Sequence, residues 1–120
     1  MSYVDGFVLA VPTGNLDAYK AMAEKAAKIW KEHGALEYKE CFADDMEDKG
    51  FCLTFPAAFQ AKPDETVVFA YIVYRSREHR DEVNAKVMAD PRLSEDCNSD
   101  SMPFDAKRMA YGGFKTVVSF

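Results

Sequence analysis

Thr66-Val67-Val68-Phe69-Ala70-Tyr71-Ile72-Val73-Tyr74 is the stretch that decides the fold. Its β-branched and aromatic content reads as a strand. Val67, Phe69, Tyr71 and Val73 point one way, and Val68, Ala70, Ile72 and Tyr74 the other, so the strand is apolar on both faces. A sheet with one face in water alternates apolar with polar residues. In a chain of 120 residues, helices are expected to cover only one face. The second face needs another cover, and a second copy of the chain is the simplest. The strand therefore predicts a homodimer built sheet against sheet.

Outward from this strand, Tyr3 to Val11 reads as a first strand, broken by Pro12, Thr13 and Gly14. Asn15 is suited to cap the helix that follows. That helix carries Tyr19, Met22, Ala23, Ala26 and Ile29 at spacings of three and four, the mark of a buried stripe. Lys20, Glu24, Lys28 and Glu32 alternate in sign on its wet side, and Gly34 is a natural left-handed stop. Ala35 to Ala43 is the second strand, with Leu36, Tyr38 and Phe42 alternating against Glu37, Lys39 and Cys41. Asp44 to Gly50 is a polar turn, and Phe51 to Phe59, interrupted by Pro56, reads as an irregular or edge segment. After the two-faced strand, Ser76 caps a second helix whose inner face is marked by Val83 and Val87 and which ends at Asp90-Pro91. Leu93 to Asp105 reads as a long connection, and the last strand as about Met109 to Phe120. Strand, helix, strand, strand, helix, strand is the ferredoxin-like βαββαβ order. It predicts a single α+β domain over residues 1–120, with a four-stranded antiparallel sheet and both helices on one face.

Composition narrows the function classes. Hydrophobic residues are 48% and charged residues 29%, which suits an ordinary globular chain. A chain of this length buries about two-thirds of its unfolded surface, enough for one core without staples. The net charge of −5, with Lys and Arg spread among acids, argues against a nucleic-acid partner. Cys41, Cys52 and Cys97 are widely spaced and read as reduced thiols of a cytoplasmic protein. Met1 to Gly6 has neither a basic start nor an apolar run, so no signal peptide is expected, and no segment approaches a membrane span.

Several stretches resemble one family: Tyr3 to Val8, Glu32-His33-Gly34-Ala35-Leu36, Asp64 to Phe69, Met88-Ala89-Asp90-Pro91-Arg92, and Met102-Pro103-Phe104-Asp105-Ala106-Lys107-Arg108-Met109-Ala110-Tyr111-Gly112-Gly113-Phe114. Together they are similar to the YbaA-like bacterial family, a domain of unknown function, over nearly the whole chain. The resemblance implies a dimeric α/β barrel of ferredoxin-like topology and no established reaction. The wider fold group holds cofactor-free monooxygenases, haem-dependent enzymes and plain small-molecule binders, so fold does not carry function.

The candidate chemistry is sparse. His33 follows the apolar stripe of the first helix and reads either as a pocket base or iron ligand or, more cheaply, as a residue serving the helix C-terminus. His79 lies in line with Val83 and Val87, and the two histidines could meet over a pocket. Asp5 sits in an otherwise apolar strand, where a carboxylate is costly unless paired; it is either a pocket acid or base or a structural partner for an Arg or Tyr. Asp105, Lys107 and Arg108 could clamp an anion with Tyr111 as donor, or the same segment, with Gly112 and Gly113, could form a dimer contact. Met46 stands where the acidic turn 44–48 would need an oxygen ligand, which excludes a calcium loop.

The expected site therefore has Asp5, His33, Arg108 and Tyr111 as polar pocket groups and Tyr71 as lining. It would bind a small aromatic or acidic molecule between sheet and helices, with no cofactor and no metal, and a monooxygenase-like conversion is open. The alternative is a noncatalytic homodimeric interaction module, with RNA association a distant third. Whether the chain is an enzyme is not decided by its sequence.

Overall fold

The computed structural model describes residues 1–96 and 102–120. Four strands form one antiparallel sheet: β1 (Tyr3–Pro12), β2 (Glu37–Phe42), β3 (Glu65–Tyr74) and β4 (Ala110–Lys115). Their order is β2-β3-β1-β4, the ferredoxin-like arrangement. The helices are α1 (Leu16–Glu32), α2 (Phe55–Phe59), α3 (Arg77–Met88) and α4 (Pro91–Asp96).

Register settles which face meets the helices. Asp5 pairs with Ile72, Phe7 with Ala70 and Leu9 with Val68, while Tyr38 pairs with Ile72 and Glu40 with Ala70. Residues directly opposite share a face, and Leu9, Val68, Ala70, Ile72 and Tyr74 are all buried. The helix side of β3 is therefore the Val68, Ala70, Ile72, Tyr74 set. The core under the helices has two clusters. One holds Leu9, Val11, Tyr19, Ala23 and Val68; the other holds Ile29, Ile72, Tyr74, Val83 and Val87.

The opposite face carries Val4, Gly6, Val8, Phe69, Tyr71 and Phe114, which line a shallow groove. Phe55 of α2 packs edge-on against Phe69 at a centroid distance of 6.1 Å. Phe69 remains 44% exposed all the same, and Phe114 62%. This face is as apolar as the sequence requires.

Local departures from expectation have local causes. Asn15 does not cap α1: a 3-10 turn over Thr13–Asn15 leads into the helix, with no side-chain cap bond from Asn15. Its amide instead donates to the Pro103 carbonyl at 3.1 Å and ties this corner to the segment before β4. Phe51 to Phe59 is not wholly irregular or edge-like. Pro56 falls in the first turn of α2, where its missing N–H costs nothing, and Thr54 caps that turn by accepting from the Ala57 N–H. The connection after α3 holds α4, while Cys97 and the rest of 97–101 lie outside the described residues. The last strand stops at Lys115 rather than continuing to Phe120, because β1, its pairing partner, starts at Tyr3.

Ser76 caps α3 as expected, its Oγ accepting from the His79 N–H. Gly34 ends the first helical segment with φ +110°, a conformation that other residues rarely adopt. No described helix is long and apolar enough to cross a membrane.

Candidate functional site

Between α1 and the sheet lies a cavity of about 190 Å³. It exists because small residues face it: Ala23 and Ala26 from α1 and Ala70 from β3 line it without filling it. Phe7, Met22, Ile29, Trp30, Ile72 and Phe104 are among the large apolar side chains of its wall. The wall draws on both core clusters, so the void separates them. Protein interiors hold few voids larger than a water molecule.

Glu40 is the one charged residue in the wall of this cavity among the described residues. The pleat of β2 turns Tyr38, Glu40 and Phe42 towards the helices. Tyr19 on α1 donates its O–H to Glu40 Oε2 at 2.8 Å, and Tyr38 donates to Oε1 at 3.0 Å. Burial pushes the Glu40 carboxyl above its usual range, and the two donated bonds offset this only in part. Burial, together with the neighbouring carboxylate, pushes the Tyr19 hydroxyl up as well.

A second polar group lies nearby on the same side of the sheet. Asp5 is 1% exposed. Arg80 on α3 donates to its Oδ1 at 3.0 Å, and Asn84, one turn later, donates to Oδ2 at 3.4 Å. Arg80 also donates to the Tyr111 hydroxyl at 2.8 Å and lies over the Tyr3 ring, 5.0 Å from its centroid. Its Nε stands 2.8 Å from Asp81 Oδ1 as an ion pair, without hydrogen-bond alignment. Burial raises the Asp5 carboxyl, against the lowering pull of Arg80 and then of Asn84.

Trp30 connects the two groups, since it lines the cavity and donates to the Tyr74 hydroxyl and to Asn84 Oδ1 at 3.1 and 3.2 Å. Gly113 makes room for this cluster: a Cβ there would sit 2.4 Å from the Tyr3 hydroxyl.

Of the five residues expected from sequence, Asp5 and Tyr111 come together through Arg80. The other three lie elsewhere. His33 binds Asp90 Oδ2 at 2.9 Å beyond the end of α1. That carboxylate also takes Arg92, and these bonds hold it well below its ordinary value, Arg92 contributing most. Arg108 pairs with Glu65 and donates to the Gln60 carbonyl. Tyr71 belongs to the open sheet face, away from the cavity. His79 accepts from the Arg75 N–H at 3.0 Å and stands edge-on to Tyr74, so each histidine is engaged by its own partner. Among the described residues no three His, Cys, Asp or Glu side chains converge to hold a metal.

Sequence reading missed Glu40 and Arg80, and each had a signal. Glu40 shares the inward parity of Tyr38 and Phe42. Arg80 precedes Val83 and Val87 by three and seven residues on a helical stripe, a cation on an inner face awaiting the carboxylate of Asp5.

The family model described as a protein of unknown function (DUF1428) matches residues 2–106. The uncharacterized protein YbaA of Escherichia coli K12 is 52% identical over 118 residues, covering 98% of each chain, and so is its counterpart in Shigella flexneri. A crystal structure of a NIPSNAP-family protein with unknown function from Agrobacterium tumefaciens superposes with a TM-score of 0.58 at 17% identity, covering 96% of this chain and 87% of that one. A second structure from the same organism gives 0.57 at 18% identity, with 96% and 93% covered. At such identities the likeness shows the fold alone.

Proposed function

The chain belongs to the DUF1428 family of YbaA-like proteins, and on that premise we propose that it is a homodimeric binder of a small, single-ring aromatic molecule held between α1 and the sheet. The observation that carries this reading is the cavity of about 190 Å³ with its apolar wall. Its size supports a single-ring ligand. A cavity of about 150 Å³ lined by aliphatic and aromatic side chains holds benzene, whereas sites for larger ligands start at about 300 Å³. Its charge weighs between the two chemistries expected from sequence. Glu40 brings a carboxylate to the wall, and Arg80 and Arg108 are both engaged elsewhere. The reading therefore favours an aromatic ligand over an acidic one.

The second copy is argued from the open sheet face. Val4, Val8, Phe69, Tyr71 and Phe114 form a continuous apolar surface, which two-fold pairing would cover with the same surface of a partner. Cys41 and Cys52 are exposed free thiols, which supports a reducing compartment such as the cytoplasm.

Native mass spectrometry on protein purified without refolding tests both parts. The expected result is a dimer that carries extra mass of single-ring size, lost on denaturation. A monomer would sink the pairing. A bare protein whose Trp30 emission also ignores added toluene would sink the cavity reading.

A further inference from the structure

We propose that Glu40 is the recognition group of this cavity, and that the ligand is a single-ring molecule bearing a hydrogen-bond donor and no negative charge, admitted between α1 and β2. The inference rests on the binding reading above and adds the polarity of the ligand and its route.

The route follows from shared walls. Ala23, Tyr38 and Glu40 line the internal cavity and also a groove that opens to solvent. The groove adds Lys20, Glu24, Ala27 and Phe42, from α1 and β2. Glu40 therefore stands at the threshold between inside and outside. Ala23 is the α1 residue shared by the two spaces, and its small side chain leaves room at that threshold.

The polarity follows from hydrogen-bond capacity. A carboxylate offers about four acceptor positions. Tyr19 takes one on Oε2 and Tyr38 one on Oε1. The two tyrosines thus fix the orientation of the carboxylate and leave an acceptor position on each oxygen. A half-buried acceptor on a mostly apolar wall gains from each further donor. Burial of the Glu40 carboxyl, which already raises it, increases that gain. An O–H or N–H on the ring would complete the set, whereas a carboxylate on the ring would meet a like charge.

The test uses Trp30, the single tryptophan of the chain and a residue of the cavity wall. The intact protein is titrated with phenol, toluene and benzoate while Trp30 emission is followed. Phenol and toluene should both bind, and benzoate should give no saturable change. Glu40→Leu should then shift the ratio of phenol to toluene Kd by about tenfold to a hundredfold against phenol, the size of a hydrogen bond to a charged group. Glu40→Gln, which keeps one acceptor, should shift it less. An unchanged ratio in folded Glu40→Leu would overturn the inference and leave the cavity reading intact. Tight benzoate binding by the native protein would overturn it without any variant. Failure of all three compounds on native protein would instead strike the binding reading beneath it.

Discussion

Replacing Arg80 with Met leaves Asp5 buried without its cation, and the structure sets the size of the effect. Asp5 is 1% exposed, and the Arg80 side chain only 13%. Removing one member of a buried ion pair costs about 3–5 kcal/mol, because the remaining charge stays in a poor medium. For a domain of this size that is about 10–20 °C in Tm, a large part of the ordinary stability of about 5–15 kcal/mol. Asp5→Asn should be milder, about 1–2 kcal/mol, because Arg80 keeps Asp81 2.8 Å away, while Asp5 has no second cation among the described residues. The double variant Asp5→Asn/Arg80→Met should recover part of the loss. The acid side carries a further sign. The Asp5 carboxyl is already raised in the fold, and without Arg80 it rises further. A raised carboxyl costs stability above its folded pKa, and that cost fades as pH falls through it. The gap between Arg80→Met and the parent should therefore narrow as pH is lowered from neutral. Urea unfolding of the four proteins at several pH values measures all of this. An Asp5→Asn variant as costly as Arg80→Met, or an Arg80→Met gap that widens in acid, would refute the reasoning.

Three other outcomes follow from the same geometry. Gly113→Ala places a Cβ 2.4 Å from the Tyr3 hydroxyl and displaces that ring from Arg80, so it should cost about 1–3 kcal/mol; Gly14→Ala, with nothing within 4 Å, should be nearly neutral, and thermal melts compare the two. Asp90 and Glu32 are held below their ordinary values of 3.8 and 4.5, chiefly by Arg92. The stability they contribute is fully present above those values and is lost as pH falls through the lower folded ones. The Tm advantage of the parent over Arg92→Ala should accordingly shrink between pH 5 and lower pH, roughly over the carboxylate range, and an advantage constant across that range would count against the clasp. Phe69→Glu on the open sheet face should give a folded monomer by sedimentation equilibrium, whose Tm, unlike that of the parent dimer, does not depend on protein concentration.

The fold was legible because it is written in period and parity. The two-faced stretch of β3, the stripe of α1 and the cap at Ser76 are local patterns, and the structure keeps each of them. The misreadings arose where a local pattern meets a long-range partner. Asn15 looks like a cap, but its amide is taken by Pro103, 88 residues away. Pro56 looks like a strand breaker, but it begins a helical turn. The site was half legible for the same reason. Asp5 stood out as a charge in an apolar strand, yet its partner Arg80 lies 75 positions on. Tyr71 looked like lining because the sequence alone does not say which face of β3 the helices cover. His33 and Arg108 had suitable chemistry, but both are absorbed by carboxylates at the rim of the fold. Glu40 was visible by parity, but its meaning depends on Tyr19, which α1 brings across 21 positions, and on alanines whose importance is the space they leave.

If the space between α1 and the sheet is a ring-binding cavity, a crystal of the protein soaked with bromobenzene will show it. The expected result is an anomalous bromine peak enclosed by Phe7, Trp30 and Ile72, with the side chains of both core clusters in place around it. A bromine peak confined to the open sheet face, or side chains collapsed into a filled interior with no peak, would contradict it.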